Sequence, residues 1–154
     1  MGDRTESGLH PDVVRAARAL GVPAAALRAE PDNAAYGAAV CADGGGGHVV
    51  RFRFARVTPR KTGLFVAVWC RGANGVTEPF DAAAQDRLVI VVREGIHFGL
   101  FDLPAAVLDE RGIVSVAGAG GKRGFRVYPP WSVPASTQAA ATQRWQTPHF
   151  LNIA

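Results

Sequence analysis

Leu88-Val89-Ile90-Val91-Val92 is apolar at every position, and so is Leu64-Phe65-Val66-Ala67-Val68-Trp69-Cys70. A strand sends successive side chains to opposite faces, so an unbroken apolar run suits a strand covered on both sides. These two runs predict central strands of a layered domain. Upstream, Val49-Val50-Arg51-Phe52-Arg53-Phe54-Ala55-Arg56-Val57 places Val50, Phe52 and Phe54 on one face and Arg51 and Arg53 on the other. The pattern predicts a strand with one core face and one charged face.

The remaining elements follow from local signals. Val13, Ala16, Ala17 and Leu20 recur at helical spacing after Pro11 and stop before Gly21, which predicts a helix over residues 12–20. The segment 36–42 is separated from the Arg51 strand by Asp43 and four glycines, the signature of a hairpin loop. Phe98 to Leu103 predicts another strand, and Pro104 opens a short helix that Gly112 closes. Ile113 to Val116 and Phe125 to Tyr128 add extended segments. Ser136 or Thr137 caps a helix running to about Gln146. The expected architecture is a single α/β domain, α+β by layout, with a mixed central sheet flanked by helices. Residues 11–154 form it, and residues 1–10 are expected to be a flexible N-terminus.

Composition bounds the class. In 154 residues, 48% are hydrophobic and 19% charged, which places the chain far from the disordered regime. The longest unbroken apolar runs fall well short of the roughly 20 residues that span a bilayer. The first eight residues are polar and mixed in charge, so a cytoplasmic protein without a membrane partner is expected. Cys41 and Cys70 are too few for a disulfide framework and are expected to be two buried thiols.

Charge is unevenly spread. Residues 44–77 hold 6 bases and no acid, and residues 111–154 hold 5 bases and no acid. Residues 1–43 and 78–110 are net acidic, at −2 and −5. Two arrangements fit these counts. Either the basic segments lie side by side and build a positive surface that concentrates a polyanion, or they pair with the acidic segments and are neutralised.

Familiar catalytic motifs fail on inspection. Gly118-Ala119-Gly120-Gly121-Lys122-Arg123 has Val116 and Arg123 where a phosphate-binding loop needs Gly and Ser or Thr, and Arg123 also replaces the third Gly of a dinucleotide fingerprint. His10, His48, His97 and His149 are scattered, and no Gly-x-Ser-x-Gly elbow exists. No metal, cofactor or catalytic residue is expected.

Four segments are more distinctive: Thr58-Pro-Arg-Lys-Thr-Gly-Leu-Phe-Val-Ala-Val-Trp69, Gly99-Leu-Phe-Asp-Leu-Pro104, Gly121-Lys-Arg-Gly-Phe-Arg-Val-Tyr-Pro-Pro-Trp131 and Thr142-Gln-Arg-Trp-Gln-Thr-Pro-His-Phe150. With Glu30-x-x-Asn33-x-x-Tyr36 before them, these segments resemble the MepB family of bacterial proteins over about four fifths of the chain. The family's polar signature falls on Glu30, Asn33, Tyr36, Arg53, Lys61, Arg71, Asp86, Lys122, Arg126, Gln143 and Gln146. The resemblance implies a restriction-endonuclease-like fold and a link to nucleic acid, and it brings no enzymatic activity with it. Nucleases of that fold carry an acid two residues before a Lys. Here Pro59 precedes Lys61 at that offset and Gly120 precedes Lys122. Glu30, Asp81, Asp86 and Asp102 remain as acids that folding alone could gather, with Glu30 and Asp86 the candidate acidic site.

The resulting expectation is a non-catalytic nucleic-acid-binding protein with a basic groove built from Arg51, Arg53, Lys61, Arg71, Lys122, Arg123 and Arg126. Gln143 would add hydrogen bonds, and Tyr128 and Trp131 would stack on bases. The alternatives are a metal-dependent nuclease with a migrated acidic site, or a partner-binding or small-anion-binding accessory protein of an efflux or stress operon. Strandedness, DNA against RNA and oligomeric state are left open by the sequence.

Overall fold

In the computed structural model, which describes residues 8–42 and 48–153, the Leu88–Val92 run lies at the heart of the larger of three sheets. The elements in chain order are α1 (Pro11–Ala19), β1 (Arg28–Ala29), β2 (Ala39–Ala42), β3 (Val49–Phe54), β4 (Arg56–Val57), β5 (Leu64–Ala67), β6 (Trp69–Arg71), β7 (Thr77–Pro79), β8 (Arg87–Glu94), β9 (His97–Pro104), α2 (Ala105–Glu110), β10 (Gly124–Val127), α3 (Thr137–Gln146) and β11 (Phe150–Asn152). Six strands pair in the order β1-β2-β3-β8-β9-β11. All pairs are antiparallel except β3 with β8, where Arg51 lies opposite Leu88 and Arg53 opposite Ile90. The sheet is therefore mixed, as the layout predicts. β10-β5-β4 forms a second, antiparallel sheet, and β6 pairs with β7.

Period-two alternation splits the core into two layers. Val89, Val91, Phe98 and Leu100 face α1, whose Val13, Ala16 and Ala17 are fully buried against them. Leu88, Ile90, Val92, Phe101 and Leu103 face the other way, onto Leu64, Val66 and Val127 of the second sheet and Leu108 of α2. Each fully buried aliphatic or aromatic side chain contributes about 1.5–3 kcal/mol. Both faces of β8 are covered, which explains its apolar run.

The ends of the helices match their signals. Pro11 opens α1 under a cap from His10, whose Nδ1 accepts from Asp12 N at 3.0 Å. Ser136 caps α3, its Oγ accepting from Ala139 N at 3.1 Å. Most of the expected flexible N-terminus, residues 1–7, and the glycine loop at residues 43–47 lie outside the described residues. Leu9 and His10, however, already belong to the packed domain: Leu9 is buried, and His10 stacks on Phe54 at 4.2 Å.

Four local readings change. The 64–70 run is two strands in two sheets, β5 and β6, and Trp69 is only partly buried because β6 has a single strand partner. Ile113 to Val116 makes isolated bridges rather than a strand. Phe150–Asn152 completes the sheet edge beside β9, in a segment too short to show periodicity. Cys41 and Cys70 are free and partly exposed, not fully buried.

Candidate functional site

Arg51 and Arg53 project from β3 as the alternation requires, but their face is not open to solvent. Arg51 is 7% exposed and Arg53 0%, because the chain around Glu30, Asn33 and residues 80–85 covers them. Glu30 binds both guanidiniums: Oε2 accepts from Arg51 Nη1, and Oε1 accepts from Arg53 Nη1 at 2.7 Å. Arg51 Nε donates to Gln85 Oε1 at 3.2 Å, and Arg53 Nε donates to Asn33 Oδ1 at 3.1 Å. The Phe80 ring lies 4.0 Å from the Arg51 guanidinium and 5.6 Å from that of Arg53. Burial pushes the Arg53 guanidinium below its ordinary range, and Glu30 opposes that push. Arg53 Nη2 and Asn33 Nδ2 are buried and have no hydrogen-bond partner among the described residues. This network joins three positions of the polar signature, Glu30, Asn33 and Arg53, as a structural ionic core.

The other acids are engaged in the same way. Asp86 accepts from Val49 N at 2.6 Å and lies 3.7 Å from His48. Asp102 holds Arg87, whose Nε donates at 3.0 Å, and Asp81 caps a short 3-10 turn through Ala83 N at 2.8 Å. Glu30 and Asp86 are thus taken up separately. Among the described residues, no three of His, Cys, Asp and Glu gather in a way that could hold a metal ion.

A second cationic cluster forms where β10 meets the loop before β5. Arg126 faces Phe65 across the β10–β5 pair, and its side chain folds over residues 58–63. Nη2 donates to the Thr58 hydroxyl at 2.7 Å and to the Gly63 carbonyl at 3.1 Å, and Nε donates to the Thr62 carbonyl at 3.2 Å. Gly63 has φ +81° and lies so close to Tyr128 that a Cβ there would sit 2.7 Å from the ring. Only glycine lets this loop close. The loop presents Arg60 and Lys61 to solvent.

α3 forms the facing wall. The buried Gln146 amide fixes it to β10: Oε1 accepts from Tyr128 N at 2.8 Å, and Nε2 donates to the Arg126 carbonyl at 3.0 Å. Gln143 Nε2 donates to the carbonyls of Pro129 and Ser132, so it shapes the turn before α3. Two adjoining hollows of about 440 and 320 Å³ open between these walls and share Arg126, Tyr128, Ser136 and Ala139. Arg111 and Lys122 line the larger hollow, Arg60 and Lys61 the smaller, and among the described residues no carboxylate lines either. The Arg111 guanidinium sits 5.0 Å from the Trp145 ring centroid. No ion pair reaches these five cations among the described residues, so the groove concentrates positive potential.

Lys61, Lys122 and Arg126 therefore converge, with Tyr128 beside them. The other expected site residues lie elsewhere. Arg51 and Arg53 are in the buried network; Arg71 contacts Asp32 at 3.9 Å and the Gly75 carbonyl at 3.0 Å; Arg123 Nε donates to the Thr77 carbonyl at 3.1 Å. Trp131 is packed, not free: it stacks on His97 at 4.8 Å and donates to Glu94 at 2.9 Å. Arg60 and Arg111 are additional groove residues. Arg60 was visible in the turn-rich Thr58–Gly63 stretch, whereas nothing local marks Arg111.

A family model described as MepB-like matches residues 30–152. The crystal structure of MepB is similar to this chain with a TM-score of 0.77 and 34% sequence identity, over 82% of this chain and 85% of that one. No curated protein matches it significantly.

Proposed function

We propose that this chain, which belongs to the MepB-like family, binds nucleic acid in its cationic groove without cutting it. The observation that carries this reading is the convergence of Arg60, Lys61, Arg111, Lys122 and Arg126 on one concave surface with no carboxylate in its lining among the described residues. Exposed Arg and Lys neutralise phosphates and release their counterions, and the cations come from two separate segments, 60–61 and 111–126, that folding has joined. The restriction-endonuclease likeness implied by the family resemblance belongs to this proposal as a scaffold for nucleic acid. The non-catalytic part rests on the acids: Glu30, Asp81, Asp86 and Asp102 are committed to arginines, a turn cap and a backbone amide, away from the groove.

The test is fluorescence anisotropy with labelled single- and double-stranded oligonucleotides across a salt series. The log-log slope is about −0.7 per phosphate contact on single strands and about −0.9 on duplex DNA, so about four contacts give a slope of about −3 to −4. Absence of binding at low salt to every DNA and RNA form overturns the proposal. A slope near zero does the same.

A further inference from the structure

We infer that the groove takes an unpaired stretch of nucleic acid, with neighbouring nucleotides seated in its two hollows, and that duplex binds it poorly; this rests on the nucleic-acid reading of the groove. Shape is the first argument. Proteins that read a duplex push a helix or a β-ribbon into its major groove, about 12 Å wide. Here the cations line concave hollows of about 440 and 320 Å³, within or near the range of pockets that enclose small organic ligands. The stacked bases and paired backbones of a duplex cannot enter such hollows, whereas a splayed base can.

The lining supplies the second argument. Bases freed from a helix stack on aromatic rings and on guanidinium planes. The larger hollow holds such a pair ready-made, Trp145 with Arg111 lying 5.0 Å from its ring centroid. Tyr128, backed by Gly63, stands at the junction and lines both hollows. Gln138 lines the larger hollow from the α3 wall, and its exposed side-chain amide can reach a base edge. The third argument is the position of charge. Arg126 spends Nε and Nη2 on the 58–63 loop, leaves Nη1 without a hydrogen-bond partner among the described residues, and lines both hollows, where a phosphate linking two seated nucleotides would pass. Arg60 and Lys61 on one side and Lys122 on the other continue the phosphate track.

The experiment compares a labelled dT 12-mer with a blunt-ended, loop-free duplex at equal phosphate concentration and low salt, with inorganic tripolyphosphate as competitor. The single strand is expected to bind at least about tenfold tighter than the duplex and to quench tryptophan fluorescence. Quenching should persist in the Trp69→Phe, Trp131→Phe double variant, which leaves Trp145 as the reporter. Tyr128→Leu keeps an apolar group against Gly63 and should weaken the single strand about tenfold while leaving duplex affinity unchanged. Equal or tighter duplex binding overturns this inference and leaves the nucleic-acid reading standing. Tripolyphosphate that competes as well as the oligonucleotide overturns it in favour of a simple anion site. Failure of every nucleic acid to bind overturns both.

Discussion

Nη2 of Arg126 lies 2.7 Å from the hydroxyl oxygen of Thr58, to which it donates across 68 positions of sequence. The same guanidinium also reaches the carbonyls of Lys61, Thr62 and Gly63. Arg126 is thus a loop clamp as well as a groove cation.

Substitutions should separate these two roles. Arg126→Ala is expected to cost about 1–3 kcal/mol, because it strips several acceptors at once. Arg126→Lys restores charge without the planar fork and should recover only part of the stability. Lys122→Ala, on an exposed rim, should change stability by about 0.5 kcal/mol or less and reduce the magnitude of the salt slope by about one. Urea unfolding and anisotropy on the same proteins check both halves.

The Glu30 network should behave as a structural core. Glu30→Ala leaves two buried guanidiniums without a counter-charge and should cost about 3–5 kcal/mol. Glu30→Gln keeps an acceptor and should lose less. Because this network is separate from the groove, nucleic-acid affinity of the folded Glu30→Gln protein should match that of the parent.

Gln146 is 1% exposed and bonds the backbone on both sides of Val127. Gln146→Leu preserves bulk but leaves the partly buried Tyr128 N–H and Arg126 carbonyl without this partner, at about 1–3 kcal/mol each. Denaturant midpoints should fall accordingly. The groove wall should loosen too, raising hydrogen exchange at Tyr128.

A pH dependence follows from α1. Arg93 Nε and Nη2 donate to Asp12 at 2.7 and 2.8 Å, and these bonds hold the Asp12 carboxyl below its ordinary range. A carboxyl depressed by folding binds fewer protons in the native state, so its stabilisation is complete above the unfolded value of about 3.9 and is lost as pH falls through the lower folded value. The stability gap between the parent and Asp12→Asn should therefore be wide at pH 6 and shrink below pH 4, as read from urea midpoints. A gap that is constant with pH would count against the ion pair.

Legibility from sequence followed the range of each signal. The apolar run of β8, the capped α3 and the Pro11 and Pro104 helix starts are local, and each was readable. Alternation in β3 correctly put Arg51 and Arg53 on one face, but it says nothing about what covers that face. The cover comes from Glu30 and Gln85, which lie 21 and 34 positions away from Arg51. The two acid-free segments were visible as counts, yet which cations face solvent together is set by the β5–β10 pairing. That pairing brings Lys61 to Arg126 and leaves Arg71 beside Asp32.

Joining β5 to β10 has a consequence for synthesis. The loop that carries Arg60 and Lys61 leaves the ribosome well before its clamp, since Arg126 follows Thr62 by 64 positions, and the bracing amide of Gln146 comes 20 positions after that. A nascent chain therefore exposes the cationic loop with no second wall. The groove is complete only with α3 in place, so binding competence cannot precede the synthesis of Gln146.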